Sequence, residues 1–233
     1  MKAPAALLLP ALMLAGCGGN EAQKPAPSPT VSSSPAADRA ARLSAAMVAV
    51  YKQPVSERAV SFDEPKLVDT SFGPVLITKE HVPDAAQADP GIIAVHYLEA
   101  DGARFKLRKS YPKAVQIGSS GELAGWSISD KFSDKPVIIY TEVGGPGQDH
   151  SCSVITLVEL RPDGPAKIVS LPFYDDSGQG ENKPQSNRVQ FADIRKGQAF
   201  TVKFEGTRSF AERYIWRDGK YQREGGESRI PTC

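Results

Sequence analysis

The feature that most constrains this chain is a pattern of short apolar runs that recurs along it. "PVLITKE" at 74–80, "PVIIYTE" at 136–142 and "AFTVKFE" at 199–205 each end in a glutamate: Glu80, Glu142 and Glu205. Each is followed by a second run with Asp-Gly inside it: "AVHYLEADGARFKL", "ITLVELRPDGPAKIV" and "RYIWRDGKYQ". Glu80 to Asp101 and Glu142 to Asp163 both span 21 residues, and the first two copies are offset by 62 throughout. In the third copy Glu205 to Asp218 spans 13. Asp-Gly flanked by apolar alternation signals a β-hairpin. Each unit of about 60 residues therefore reads as four antiparallel strands. The expected fold class is mainly β, with antiparallel four-stranded units repeated about three times. Such units can close as a propeller-like array, a sandwich or a barrel. The repeats fill a β-rich domain over 60–233.

One helix is expected ahead of them, over 35–53. Ser34-Pro35 reads as an N-cap followed by proline at the first helical position. Leu43, Met47, Val50 and Tyr51 fall on one helical face, and Pro54 ends the run. That stripe is expected to pack, with the helix capping a sheet edge.

The N-terminus reads as a targeting segment rather than part of the fold. Lys2 supplies a positive start, and Ala3 to Leu14 form an apolar stretch broken by Pro4 and Pro10. The stretch is too short for a membrane span of about 20 residues. Residues 1–16 thus read as a signal peptide. Leu14-Ala15-Gly16-Cys17 closely resembles the lipobox of bacterial lipoproteins. That resemblance implies export, lipid attachment at the Cys17 sulfur and cleavage before it. It also implies a place in the bacterial cell envelope, anchored in the membrane by the N-terminal lipid. Gly18 rather than aspartate after the cysteine leans toward the periplasmic face of an outer membrane, in a Gram-negative cell. Two or more acyl chains anchor stably, at about 0.8 kcal/mol per buried CH₂. From Cys17 to residue 34 the chain is rich in Pro, Ser and Ala and reads as an extended tether.

The cysteine count fits this reading. There are three cysteines, Cys17, Cys152 and Cys233. Lipidation uses Cys17 and leaves an even pair, so Cys152–Cys233 is the expected disulfide in an oxidising compartment. It would close a long loop, worth about 4 kcal/mol on the entropic account. "KPVIIYTEVGG…CSVITLVELRPDG" also weakly resembles one unit of FG-GAP-like repeats and of periplasmic lysozyme inhibitors. "GGPGQDHSC" stands where those inhibitors carry a Ser-Gly-x-Tyr loop.

The sequence carries few motifs of known chemistry. No HExxH, P-loop, GxSxG or CxxC motif occurs. "SYPK", Ser110 to Lys113, has the letters of an SxxK nucleophile motif but holds Pro112 between its ends. Asp149, His150 and Cys152, with His81 and His96, are candidate metal ligands that lack regular ligand spacing. Asp175, Ser177, Gln179 and Gly180 begin a calcium-loop-like stretch whose twelfth position is Ser186, not glutamate. Glu80, Glu142 and Glu205, at matching places in the repeats, read as strand-end residues rather than a catalytic pair.

No catalytic residue, metal or cofactor is therefore expected. The candidate binding residues are aromatic: Tyr214 and Trp216 on one strand face, and Phe173 and Tyr174 beside a polar loop. A net charge of +1 gives no basic surplus for a nucleic-acid partner. The resulting expectation is a non-catalytic lipoprotein that binds or scaffolds an envelope or external protein. An envelope hydrolase and a glycan- or peptidoglycan-binding module are the alternatives.

Overall fold

The computed structural model describes residues 35–52, 61–81, 86, 90–117, 125–143, 152–174, 186–206, 209–225 and 228. They form one helix, α1 (Pro35–Tyr51), and twelve strands. The first four are β1 (Ser61–Thr70), β2 (Gly73–His81), β3 (Gly91–Asp101) and β4 (Arg104–Ile117). Next come β5 (Gly125–Ser129), β6 (Val137–Val143), β7 (Cys152–Arg161) and β8 (Gly164–Tyr174). The last are β9 (Ser186–Arg195), β10 (Ala199–Gly206), β11 (Phe210–Arg217) and β12 (Lys220–Arg223). They pair as three four-stranded antiparallel sheets, each a meander of four consecutive strands, and no closed barrel forms among the described residues.

The repeat is visible in the register itself. Val75 pairs with Tyr97, Ile77 with Val95 and Glu80 with Ile92. The same pairing recurs 62 residues on: Val137 opposes Glu159, Ile139 opposes Leu157 and Glu142 opposes Val154. The third sheet reaches the same meander with a shorter β10–β11 hairpin, in which Val202 opposes Glu212. That shorter loop accounts for its smaller Glu-to-Asp spacing.

The sheets stack face to face. Val75, Ile77, Ile93 and Val95 of the first sheet meet Ile138, Tyr140, Val158 and Leu160 of the second. The opposite face of the second sheet offers Val137, Leu157, Ile168 and Leu171 to Phe200, Val202, Phe204 and Tyr214 of the third. The middle sheet is thus buried on both sides, which is why "PVIIY" is continuously apolar instead of alternating. On β10, buried Phe200, Val202 and Phe204 alternate with Thr201, Lys203 and Glu205, so the outer face of the third sheet is solvated.

This alternation corrects the third copy. Val75 and Ile77, five and three residues before Glu80, face the following sheet. Val137 and Ile139 hold the same places before Glu142 and also face the following sheet. Phe200 and Val202 hold those places before Glu205 but face back toward the second sheet. Glu205 is therefore one residue out of phase, and a one-residue slip moves every side chain to the other face.

Helix α1 covers the outer face of the first sheet. Ala46 and Met47 are buried against Leu76 and Leu98, with Leu43, Val50 and Tyr51 packed beside them. The expected stripe thus does pack, on a sheet face rather than on an edge. The helix ends at Tyr51, and Lys52 follows in the left-handed region at φ 61°. Arg42 adds a two-pronged ion pair to Asp69 of β1, at 2.6 and 2.9 Å. The guanidinium holds the Asp69 carboxyl below its usual range.

All three Asp-Gly pairs lie at hairpin turns, each in a different setting. Asp218 and Gly219 form the two-residue loop themselves, at φ 51° and 78°, as a type I′ turn requires. In the β7–β8 turn the loop is Pro162-Asp163, and Gly164 follows it at φ 148°. In the β3–β4 turn Asp101 ends the strand and Gly102 opens the loop at φ 61°.

Candidate functional site

Three clusters hold most of the buried polar side chains among the described residues. The first lies between α1 and the first sheet. Cross-strand pairing sets His96 of β3 opposite Ser110 of β4, and opposite Leu76 of β2 on the other side. His96 Nδ1 is 2.9 Å from Ser110 Oγ, and its Nε2 is 3.2 Å from the Tyr51 hydroxyl. Tyr51 also meets Thr78 Oγ1 at 2.7 Å and donates to Glu80 Oε1 at 3.4 Å. With Tyr51 donating to Glu80, His96 donates from Nε2 and accepts from Ser110 at Nδ1. His96 is 3% exposed, and burial pushes its pKa down to about 4. The ring is neutral at pH 7, and both nitrogens are occupied by this docking network. Ser110 itself is exposed.

The second cluster joins the second and third sheets. Glu159, buried in β7, accepts hydrogen bonds from Ser133 and, at 2.6 Å, from Arg161 Nε. The Arg161 guanidinium also donates to the Gly219 carbonyl at 2.6 Å. The third cluster is built on buried Glu212, which accepts from Tyr214 at 2.9 Å and Ser228 at 2.8 Å. Arg223 Nε stands 3.9 Å from the same carboxylate. Burial beside Glu212 raises the Tyr214 hydroxyl well above its ordinary range. A groove of about 460 Å³ opens beside this cluster, between β8 and β12. Each buried carboxylate here is held in a hydrogen-bonded structural role.

The surface carries a different signal. Strand β4 is an edge strand of 14 residues. Its segment "RFKLRKSYPK", 104–113, holds Arg104, Lys106, Arg108, Lys109 and Lys113, all exposed, and no acidic residue. Lys106 pairs with Asp101 at 2.9 Å, and Lys109 donates to the Asp163 carbonyl at 2.8 Å. Arg104, Arg108 and Lys113 have no ion-pair partner among the described residues. Leu107, at 42% exposed, sits among them. The run of five basic residues was readable from the sequence, but a chain net charge of +1 conceals it.

The aromatic candidates take other places. Tyr214 is 5% exposed and stacks on Phe200, with ring centroids 5.2 Å apart. Trp216 packs edge-on against Tyr221 at 4.9 Å, and Phe173 is partly buried against the same core. Tyr214, Trp216 and Phe173 therefore help join the second and third sheets and form no exposed platform. Inward alternation on β11 decides this. Tyr174 pairs opposite Cys152, and both side chains lie outside the described residues. So do Cys17 and Cys233, and with them the lipid anchor and the disulfide. The candidate ligands Asp149, His150 and Asp175, and the side chain of His81, lie outside as well. Among the described residues no three His, Cys, Asp or Glu side chains converge on a metal position, and His96 is engaged by Tyr51 and Ser110. Glu80 lies on β2, Glu142 on β6 and Glu205 on β10, one on each sheet. Glu205 is exposed, with Arg188 at 3.7 Å. Comparison with known proteins finds no matching family model, no matching curated protein and no matching solved structure.

Proposed function

We propose that this chain is a lipid-anchored cell-envelope module that binds a protein partner without catalysis, with β4 as its docking edge. One observation carries the reading: an edge strand whose outer side pairs with no other strand among the described residues, combined with a basic run free of acidic residues. An edge strand offers N–H and C=O groups to an added strand. Lysine and arginine on such an edge repel a second copy of the same strand. They favour an acidic extended segment, so the partner proposed is a protein presenting acidic residues on an extended stretch. Exposed ion pairs add only about 0.2–1 kcal/mol each. The charges therefore select the partner and speed encounter more than they add affinity. The lipobox-like Cys17 supports placing this edge at a membrane surface on a tether of about 50 Å, at ~3.1 Å per extended residue.

The test is crosslinking in intact envelopes, comparing the native chain with Arg104→Glu/Arg108→Glu/Lys113→Glu. The native chain should capture a discrete partner and the triple variant should lose it, with both remaining in the membrane fraction. Equal capture by both would overturn the docking edge. Cys17→Ser should release the protein from membranes. Persistent membrane fractionation of that variant would overturn the anchor.

A further inference from the structure

Beside the β9–β10 pairing of the third sheet lies a cavity of about 420 Å³, lined by Asp193, Ile194, Arg195, Ala199, Thr201 and Arg213 together with Phe200. That volume lies within the ordinary range for a small-molecule site. Strand pairing explains its shape. Thr201 lies between Ala192 and Arg213, and Ala199 lies between Arg195 and Ile215. Small residues thus floor a depression, and two arginines stand diagonally across it. Between these two rows β9 carries an extra residue, because Asp193 and Ile194 together oppose Phe200. Such a bulge re-aims a side chain locally. Asp193 takes φ 48°, a left-handed conformation that aspartate tolerates better than most residues.

The charges of this cavity are not neutralised by one another. The Arg195 guanidinium has no hydrogen-bond or ion-pair partner among the described residues, while the Arg195 carbonyl accepts from the Gln198 N–H at 2.9 Å. Arg213 has only Glu224, with Nε 3.6 Å from the carboxylate. Asp193 and Arg195 line one cavity yet form no ion pair within 4.0 Å. Two guanidinium forks with a threonine hydroxyl between them suit a planar carboxylate. A separate carboxylate on the rim suits a cation at the other end of the same molecule. We infer that this cavity binds a small zwitterion carrying both a carboxylate and an ammonium group, the chemistry shared by free amino acids and the termini of short peptides. The site lies on the sheet at the opposite end of the stack from α1, so it does not depend on the β4 edge.

The test titrates the full chain in detergent with four probes: L-alanine, alanyl-alanine, acetate and ethylammonium. Binding is read by calorimetry and by shifts of arginine side-chain NMR signals. L-alanine or alanyl-alanine should bind at least tenfold more tightly than acetate or ethylammonium. Preference between the first two distinguishes a free amino acid from a peptide. Arg195→Ala and Arg213→Ala should each weaken that binding about tenfold to a hundredfold, the range of a charge-assisted hydrogen bond. Asp193→Gly keeps the left-handed backbone accessible and removes only the carboxylate, so it should cut zwitterion binding while leaving acetate binding intact. Circular dichroism confirms that each variant is folded. Equal binding of acetate and L-alanine would reduce the cavity to a simple anion site and overturn the inference. No response to any probe at millimolar concentration would overturn it too.

Discussion

The Arg161 guanidinium reaches the Gly219 carbonyl at 2.6 Å, across 58 residues of chain, while its Nε holds buried Glu159. One side chain therefore neutralises an interior carboxylate and fixes the β11–β12 turn to the second sheet. The first sheet uses the same device. Lys109 and Tyr111 of β4 both donate to the Asp163 carbonyl of the β7–β8 turn. Each following hairpin turn is thus clamped by the sheet before it. Arg161→Met should strand Glu159 without a counter-charge, at a cost of about 3–5 kcal/mol. The double change Glu159→Leu/Arg161→Met should recover most of that loss. Chemical denaturation of the two variants measures the difference. A double variant no more stable than Arg161→Met would mean that the arginine acts mainly through the turn.

Acid should weaken the seat of α1. Burial holds His96 at about 4, against an ordinary value of 6.5. Between those values the unfolded chain binds a proton that the folded chain does not. Stability from this group is therefore complete above pH 6.5 and falls as pH drops toward 4, by about 3 kcal/mol over the full window. Glu80, which faces the ring through Tyr51, is the acidic group of the same network. The melting temperature should fall from pH 7 to pH 4.5, and His96→Gln should flatten that dependence while lowering stability at pH 7. An unchanged slope in His96→Gln would assign the acid sensitivity elsewhere.

Two tyrosine-to-phenylalanine changes should act in opposite directions. The Tyr51 hydroxyl contacts Thr78, Glu80 and His96, so Tyr51→Phe leaves buried partners unmatched and should cost about 1–3 kcal/mol. The Tyr97 hydroxyl is buried with no hydrogen-bond partner among the described residues. Tyr97→Phe removes that unmatched group from the interface between the first two sheets. It should be neutral or stabilising, by up to about 1 kcal/mol. Thermal melts of the two variants side by side test the contrast.

Legibility in this sequence follows the range of the physical cause. The first two repeats could be read because hairpin register and apolar alternation are local, and both units keep the same Glu-to-Asp spacing. The phase of Glu205 could not be read, because a slip of one residue leaves the motif intact while reversing its face. Alternation puts Tyr214 and Trp216 on one strand face, but which face the neighbouring sheet covers is a tertiary fact. The docking network is similarly hidden, since Tyr51 and His96 are 45 residues apart. The cavity beside Arg195 depends on a bulge at Asp193, which no local motif announces. The basic run of β4 was local and readable, yet its meaning depends on β4 being an edge.

Gly164 shows how tightly adjacent repeats are fitted. It sits just after the β7–β8 loop at φ 148°, a conformation that side chains rarely adopt. A Cβ added there would come 2.5 Å from the Tyr111 hydroxyl and 2.8 Å from the adjoining ring carbon. Tyr111 is itself held by its bond to the Asp163 carbonyl and by an edge-on contact with Tyr97, so it has little room to yield. Gly164→Ala should therefore combine backbone strain with a clash between the first and second sheets. The backbone contribution alone is of order 1–3 kcal/mol. Tyr111→Ala in the same chain removes the clash but not the strain, so the double variant should cost less than the sum of the two single variants. Denaturation midpoints of the two single variants and the double variant give this coupling directly. Simple additivity would show that strain, rather than contact with Tyr111, sets the requirement for glycine.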